Sequence, residues 1–281
     1  MNKVENMQMT DDRPDGKKSI SHYYDSYSLP YDDFPVNPSV PDNDDYSKLQ
    51  LAERSAATAA EVLFSGRQEK GCVCFIDMVN STEIVDKIVE SDLSRYYSIF
   101  LNDMTTIILN FGGSIIKNSG DALMYYFSMP IGRNNQQPLV VLRDVLDCGI
   151  TMMAAHEHIN TKLKTYDLPP LNYRISSDHG TVTLARSSTS QNIDIFGSVV
   201  NHCAKINCKA SPNGMAIGDD LYQLIRSLHD KAFDDYYVFE KIGKYLIGTR
   251  DDYIIYSVQS SPSKGKVLNP FTRTSIRVSR Q

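Results

Sequence analysis

The chain has 281 residues, more than the roughly 100 to 200 of one typical domain, so one substantial domain with extensions is expected rather than two full ones. Hydrophobic residues at 41 % and charged residues at 22 % describe a folded, soluble chain, not one disordered throughout. A net charge of −5 excludes general affinity for a nucleic acid backbone, and no apolar run approaches the roughly 18 residues of a membrane span.

In chain order, residues 1–50 form an acidic head rich in Asp, Asn, Ser and Tyr and punctuated by Pro30, Pro35, Pro38 and Pro41, which predicts disorder. The head carries Asp11, Asp12 and Asp15 and no apolar h-region, so neither secretion nor membrane insertion is expected, and a cytoplasmic location is. Residues 51–67 are assigned to a helix and linker, because the run Lys48 to Phe64 is rich in Ala, Leu and Glu. The folded domain is expected over 68–260, followed by a basic tail, 261–281, with Lys264, Lys266, Arg273, Arg277 and Arg280.

Within 68–260, Val73-Cys74-Phe75-Ile76 has the length and character of a buried strand. From Ser81 to Asn110, apolar residues three or four apart predict one long helix, with Asn80 as N-cap and Glu83 completing a capping box. Two strands, Ser114–Lys117 and Ala122–Phe127, flank a tight turn at Asn118-Ser119-Gly120-Asp121. A helix over Leu139–Leu163 follows, then a strand at Tyr173–Ile175, a turn at Asp178-His179-Gly180, and a strand at Thr181–Leu184. The order β-α-β-β-α-β predicts an α+β, ferredoxin-like fold with short strands and helices appended. Cys72, Cys74, Cys148, Cys203 and Cys208 contain no C-x-x-C pair and read as reduced core thiols; a zinc site on Cys203, Cys208 and His202 matches no known ligand spacing.

Asp77 ends a buried strand and Asp121 ends a hairpin turn that this topology sets beside it. Clustered carboxylates repel unless a cation lies between them, and hard divalent ions bridging to phosphate are the usual partner. Val79-Asn80-Ser81-Thr82 would open a helix, where free N–H groups and the helix dipole favour phosphate.

Three strings taken together resemble successive signatures of the class III nucleotidyl cyclases, the adenylate and guanylate cyclase family. They are Phe75-Ile76-Asp77-Met78-Val79-Asn80-Ser81-Thr82, Lys117-Asn118-Ser119-Gly120-Asp121 and Asp194-Ile195-Phe196-Gly197-Ser198-Val199-Val200-Asn201. Arg174 to Val182 and Ala210-Ser211-Pro212-Asn213-Gly214 resemble the family more weakly. The resemblance implies a head-to-tail homodimer with active sites at its interface. It makes Asp77, Asp121 and the Met78 carbonyl ligands of two Mg²⁺ or Mn²⁺ ions, with Ser81 and Thr82 near the triphosphate. It makes Lys117 and Asp194 the purine-reading pair and Asn201 the residue that orients the ribose. An ammonium donates to adenine N1 and a carboxylate accepts from its amino group, so ATP is the expected substrate and cyclic AMP the expected product. Phe196, Gly197, His156, His158, His179 and His202 read as structural.

Two positions depart from the family pattern. Lys205 stands where the family usually has a transition-state arginine, and Ile247 where it usually has a triphosphate lysine. Intact Asp77, Asp121, Lys117, Asp194 and Asn201 support an adenylate cyclase. Lys205 and Ile247 support the alternative, a weakly active or inactive cyclase-homology module that binds nucleotide and dimerises to regulate a partner.

Overall fold

The computed structural model describes residues 62–129, 136–187 and 193–261. The acidic head, residues 51–61 of the expected helix and linker, and the basic tail from residue 262 lie outside them. The elements in chain order are β1 (Val62–Met78), α1 (Ser81–Val85), α2 (Glu90–Asn110), β2 (Ser114–Ser119), β3 (Ala122–Ser128), α3 (Gln136–Lys164), β4 (Tyr173–Ser187), β5 (Ile193–Phe196), α4 (Ser198–Asn207), β6 (Met215–Gly218), α5 (Asp219–Ser227), α6 (Lys231–Tyr236), β7 (Tyr237–Ile247) and β8 (Arg250–Ser260).

The strands form one sheet in the order β2-β3-β1-β4-β6-β8-β7, with β5 paired to β4 off this path. Its first four strands make the expected split βαβ arrangement, and β1 pairs antiparallel with both β3 and β4. Period-two alternation then assigns β1 residues to opposite faces. Cys72, Cys74, Ile76 and Met78 join the main core with Tyr96, Phe100 and Met104 of α2 and Cys148 and Met152 of α3. Val73, partly with Phe75, packs on the other face beneath Val199 and Cys203 of α4. Asp77 follows Val73 and Phe75 onto the α4 face, where the candidate site lies. All five cysteines are free thiols, and all but Cys208 are buried.

Three local expectations are corrected. Residues 62–64, at the end of the expected Lys48–Phe64 helix, are strand, because they pair with residues 185–187 of β4. Cross-strand hydrogen bonding there overrides local helix propensity. The single helix expected over Ser81–Asn110 is broken into α1 and α2. Four β-branched residues, Ile84, Val85, Ile88 and Val89, surround the break, and α2 restarts where Glu90 and Asp92 suit the helix N-terminus. Asn80 occupies the N-cap position of α1 but lies in the left-handed region at φ 56° and makes no side-chain capping bond. Third, Asp178-His179-Gly180 is not a turn. β4 runs straight through it, pairing Gly180 with Gly71 and Asp178 with Val73. Gly180 serves the approach of α4, since a Cβ there would lie 2.8 Å from Val199 Cβ.

Candidate active site

Asp77 lies on β1 between Ala122 of β3 and Arg174 of β4. The hairpin turn carrying Asp121 is tied to the end of β1, because Met78 N–H donates to the Asp121 carbonyl at 3.2 Å. Burial, and then the charge of Asp121, push the Asp77 carboxyl above its usual range, while Arg174 pulls it back. Two mutually repelling oxygen donors, at the end of β1 and in the adjoining β2–β3 turn, are the donor set of a hard divalent cation. The expected pair is thus brought together. Tyr97 of α2 stands close enough to feel Asp121, whose charge, after burial, raises its hydroxyl.

Arg174 belongs to this corner, a role that the weak resemblance over Arg174 to Val182 does not assign to it. Strand alternation between the fully buried Tyr173 and Ile175 is the signal that places it on the Asp77 face. Its Nε is buried and without a hydrogen-bond partner, and its carbonyl accepts from Asn207 Nδ2 of α4 at 3.1 Å. Held beside the two carboxylates, its positive charge offsets part of their mutual repulsion.

The second half of the site is a pocket of ≈ 390 Å³ lined by Lys117, Asp194 and Asn201 together with Phe75, Met124 and Phe196. Lys117 comes from β2, Asp194 from β5 and Asn201 from the first turns of α4, so the pocket exists only because β5 folds back on β4 and α4 then crosses the sheet. Lys117 Nζ lies 3.9 Å from Asp194 Oδ2, and both groups remain open to solvent. At that exposure the contact adds little to stability. It aligns a cationic donor and an anionic acceptor along one wall. Asp194 Oδ1 also accepts from Ile195 N–H at 2.9 Å, which restrains the carboxylate. Phe196, expected to be structural, is 42 % exposed and lines the pocket, with its ring centroid 5.2 Å from that of Phe64.

The remaining site residues lie elsewhere. Ser81 and Thr82 open α1, a single turn of helix, and Lys205 is exposed one turn beyond Asn201 on α4; none of the three lines the pocket. Met78 buries its side chain in the main core, leaving only its backbone to the carboxylate corner. Ile247 is 1 % exposed and packs with Ile206, Tyr253 and Ile255. Of its basic neighbours, Arg250 pairs with Asp220 at 2.7 Å, Lys244 lies 3.9 Å from Asp252 with both side chains exposed, and Lys241 is exposed; none of the three lines the pocket.

The described residues contain no helix long and apolar enough to cross a membrane. No curated protein matches the sequence. Among solved structures, the fold is similar to the adenylyl cyclase CyaB from P. aeruginosa, with 22 % identity, a TM-score of 0.60, and coverage of 72 % of this chain and 97 % of that one. It is also similar to the guanylyl cyclase Cya2, with 18 % identity, a TM-score of 0.57 and coverage of 69 % and 93 %. A third similar structure is the guanylate cyclase domain of RhGC from Catenaria anguillulae in complex with GTP, with 18 % identity, a TM-score of 0.55 and coverage of 69 % and 99 %. The sequence profile of the adenylate and guanylate cyclase catalytic domain matches residues 64–260, most of the chain, and the chain belongs to that family.

Proposed function

We propose that the protein is an adenylate cyclase, converting ATP to 3′,5′-cyclic AMP and pyrophosphate at the interface of a head-to-tail homodimer. The observation that carries this reading is the Lys117–Asp194 pair on the pocket wall. Adenine presents N1 as an acceptor beside an amino donor, which a lysine and an aspartate complement. Guanine presents N1–H and O6 at that edge, so the same two side chains would meet groups of the wrong polarity.

In the proposed dimer the pocket of one protomer faces the carboxylate corner of its partner, so that each site takes purine and ribose contacts from one chain and phosphate contacts from the other. Asn201 orients the ribose. Its 3′-oxygen attacks the α-phosphorus in line, the new O–P bond forms as the bond to the β-phosphate oxygen breaks, the hydroxyl proton is released and pyrophosphate leaves. Asp77 and Asp121, with the Met78 carbonyl, would hold two divalent ions, Mg²⁺ or Mn²⁺, which when bound favour loss of the hydroxyl proton and neutralise triphosphate charge. Arg174 and the N–H groups at Ser81 and Thr82 grip phosphate oxygens, and Lys205 offsets charge developing on the transferred phosphoryl group.

Incubation of the purified chain with ATP or GTP and Mg²⁺ or Mn²⁺, with cyclic nucleotide measured directly, tests the proposal. Cyclic AMP formed in clear preference to cyclic GMP is the expected result. Mixing Asp77→Ala with Asn201→Ala protein should restore activity, because each heterodimer carries one intact site. A heterodimer that forms without restoring turnover would count against the shared interface.

One observation favours the second reading, a nucleotide-binding regulatory module of low or no turnover. Ile247, buried among Ile206, Tyr253 and Ile255, brings no charge to a triphosphate from the position where the family usually has a lysine. Nucleotide binding without product in the same assay would select it.

A further inference from the structure

Four residues beyond Arg174 on the same strand, β4 carries Asp178, which the proposed reaction does not use. It lies with His202 of α4 and Asp220 of α5 so that one carboxylate or imidazole donor atom from each falls within 4.8 Å of the others. Asp178 is fully buried, whereas the Asp220 side chain is 39 % exposed, giving the cluster a closed floor and an open mouth.

The surrounding contacts are those of a ligand set held in place. Asp178 Oδ2 accepts from Tyr253 Oη at 2.5 Å, and Oδ1 accepts from His179 N–H at 2.9 Å and Leu221 N–H at 3.2 Å. Arg250 Nη1 donates to both oxygens of Asp220, at 2.7 and 2.9 Å. Close backbone packing fixes the rest. A Cβ on Gly218 would lie 2.5 Å from the Asp178 carboxylate, and one on Gly248 would lie 2.8 Å from His202 Nε2.

What the cluster lacks is a cation for its floor. Asp178 is met only by neutral donors, and Arg250, the nearby guanidinium, is engaged by Asp220 and Asp219. The His202 imidazole touches the Tyr253 ring, at 5.8 Å between centroids, but no hydrogen bond to either of its nitrogens occurs among the described residues. A buried carboxylate without a counter-charge, a second carboxylate and an imidazole with both nitrogens unused are complementary to a divalent metal ion. The imidazole nitrogen favours a borderline transition ion over Mg²⁺. Two carboxylates and one imidazole leave a fourth tetrahedral position for water at the open mouth, and the Tyr253 and Arg250 contacts supply the outer hydrogen bonds that orient ligating carboxylates.

We propose that Asp178, His202 and Asp220 form a site for one Zn²⁺-class ion, which fastens α4 to β4 and to the start of α5. The cysteines close to His202 do not compete for this role: Cys203 is buried with its thiol donating to the Val73 carbonyl at 3.1 Å, and the Cys208 thiol donates to the Ala204 carbonyl at 3.6 Å. Because His202 follows Asn201 directly, an ion held there would restrain the helix that carries both Asn201 and Lys205. The assignment does not depend on turnover of ATP.

The test uses the full chain with Asp77→Asn and Asp121→Asn, which removes the other carboxylate pair. The metal-depleted protein is titrated with Zn²⁺ alone by calorimetry, and its thermal midpoint is measured with and without Zn²⁺. The expected result is one equivalent of Zn²⁺ and a rise in midpoint of about 5 °C, both lost on adding His202→Leu or His202→Gln. If the parent takes up no such equivalent, or if both His202 variants retain it, the site is overturned. Should the variants fail to fold, Co²⁺ loaded into the parent decides the matter. A tetrahedral d–d spectrum without a thiolate charge-transfer band supports the assignment, whereas a thiolate band, or no d–d intensity, overturns it.

Discussion

Two carboxylate pairs lie on the α4 side of one sheet, near the two ends of a five-residue stretch of β4, and they are built in different ways. At Arg174 the strand meets Asp77 and Asp121. Both are partly exposed, and they have an arginine alongside whose Nε is unpartnered. At Asp178 it meets Asp220 beneath α4 and α5, with Asp178 fully buried and hydrogen-bonded by Tyr253 and two backbone N–H groups. Burial raises both Asp77 and Asp178, with a neighbouring carboxylate adding to the rise, so electrostatic strain alone does not distinguish them. What distinguishes them is the full burial of Asp178 and the number of fixed donors on it. A partly exposed pair beside an arginine can exchange cation and substrate, whereas a pair whose floor is buried and held by donors on three elements fastens those elements together.

The largest effect expected from this contrast is on turnover. Asp77→Ala or Asp121→Ala should lower cyclase activity by about 10³-fold or more, because several kcal/mol of charge stabilisation leave with the metal ligands. Neither change removes core volume, so the thermal midpoint should stay within about 2 °C of the parent. Full activity in either variant would place the reacting centre elsewhere.

The closed pair should instead show its effect in stability. Burial lifts Asp178 to about 7, from 3.8 in an exposed chain. The folded protein therefore holds this proton through a pH range in which the unfolded chain has already released it. The sign follows: the contribution is most favourable below about pH 4, is lost as pH rises toward 7, and is constant above that. Asp178→Asn should remove this loss and raise stability at pH 8 by up to about 3 to 4 kcal/mol, since an amide can accept the two N–H bonds and donate to Tyr253. Thermal midpoints across pH 4 to 8 in a chelating buffer would show it. Parallel curves for parent and variant would contradict the buried-charge account.

Lys205 lies on α4, the helix shared by both regions. A single ammonium replaces the forked donor of a guanidinium, so Lys205→Arg should raise kcat about ten- to a hundredfold with little change in KM, and Lys205→Ala should lower it. Kinetics within twofold of the parent for both variants would remove Lys205 from the site. The smallest effect concerns the exposed pocket wall. Lys117→Ala should raise KM for ATP by about tenfold and narrow the preference over GTP, as expected on losing one charge-assisted hydrogen bond. An unchanged ratio would mean that the Lys117–Asp194 pair does not read the base.

Much of the fold was legible in the residues because strand and helix periods survive in them. Val73–Ile76 and Ala122–Phe127 read as strands and are strands, and Asp77 and Asp121 could be paired from connectivity before any coordinate. Local signals misled where the deciding partner lay far along the chain. Asp178-His179-Gly180 has the residues of a turn, yet its aspartate hydrogen-bonds α5 and its glycine admits Val199 of α4. The place of Arg174 beside Asp77 and the His202 cluster were hidden for the same reason, since no motif joins positions that meet only after the chain folds.

Sequence by itself determined the β-α-β-β-α-β order of the core and singled out Asp77, Asp121, Lys117, Asp194 and Asn201 as candidates, because periodicity and short motifs are properties of contiguous residues. Tertiary structure alone decided that Lys117 and Asp194 stand 3.9 Å apart, that Arg174 lies across from Asp77, that Ile247 is core, and that Asp178, His202 and Asp220 converge. Each of those facts depends on strand register and helix crossing, which are set by the burial of the whole sheet and not by any segment within it.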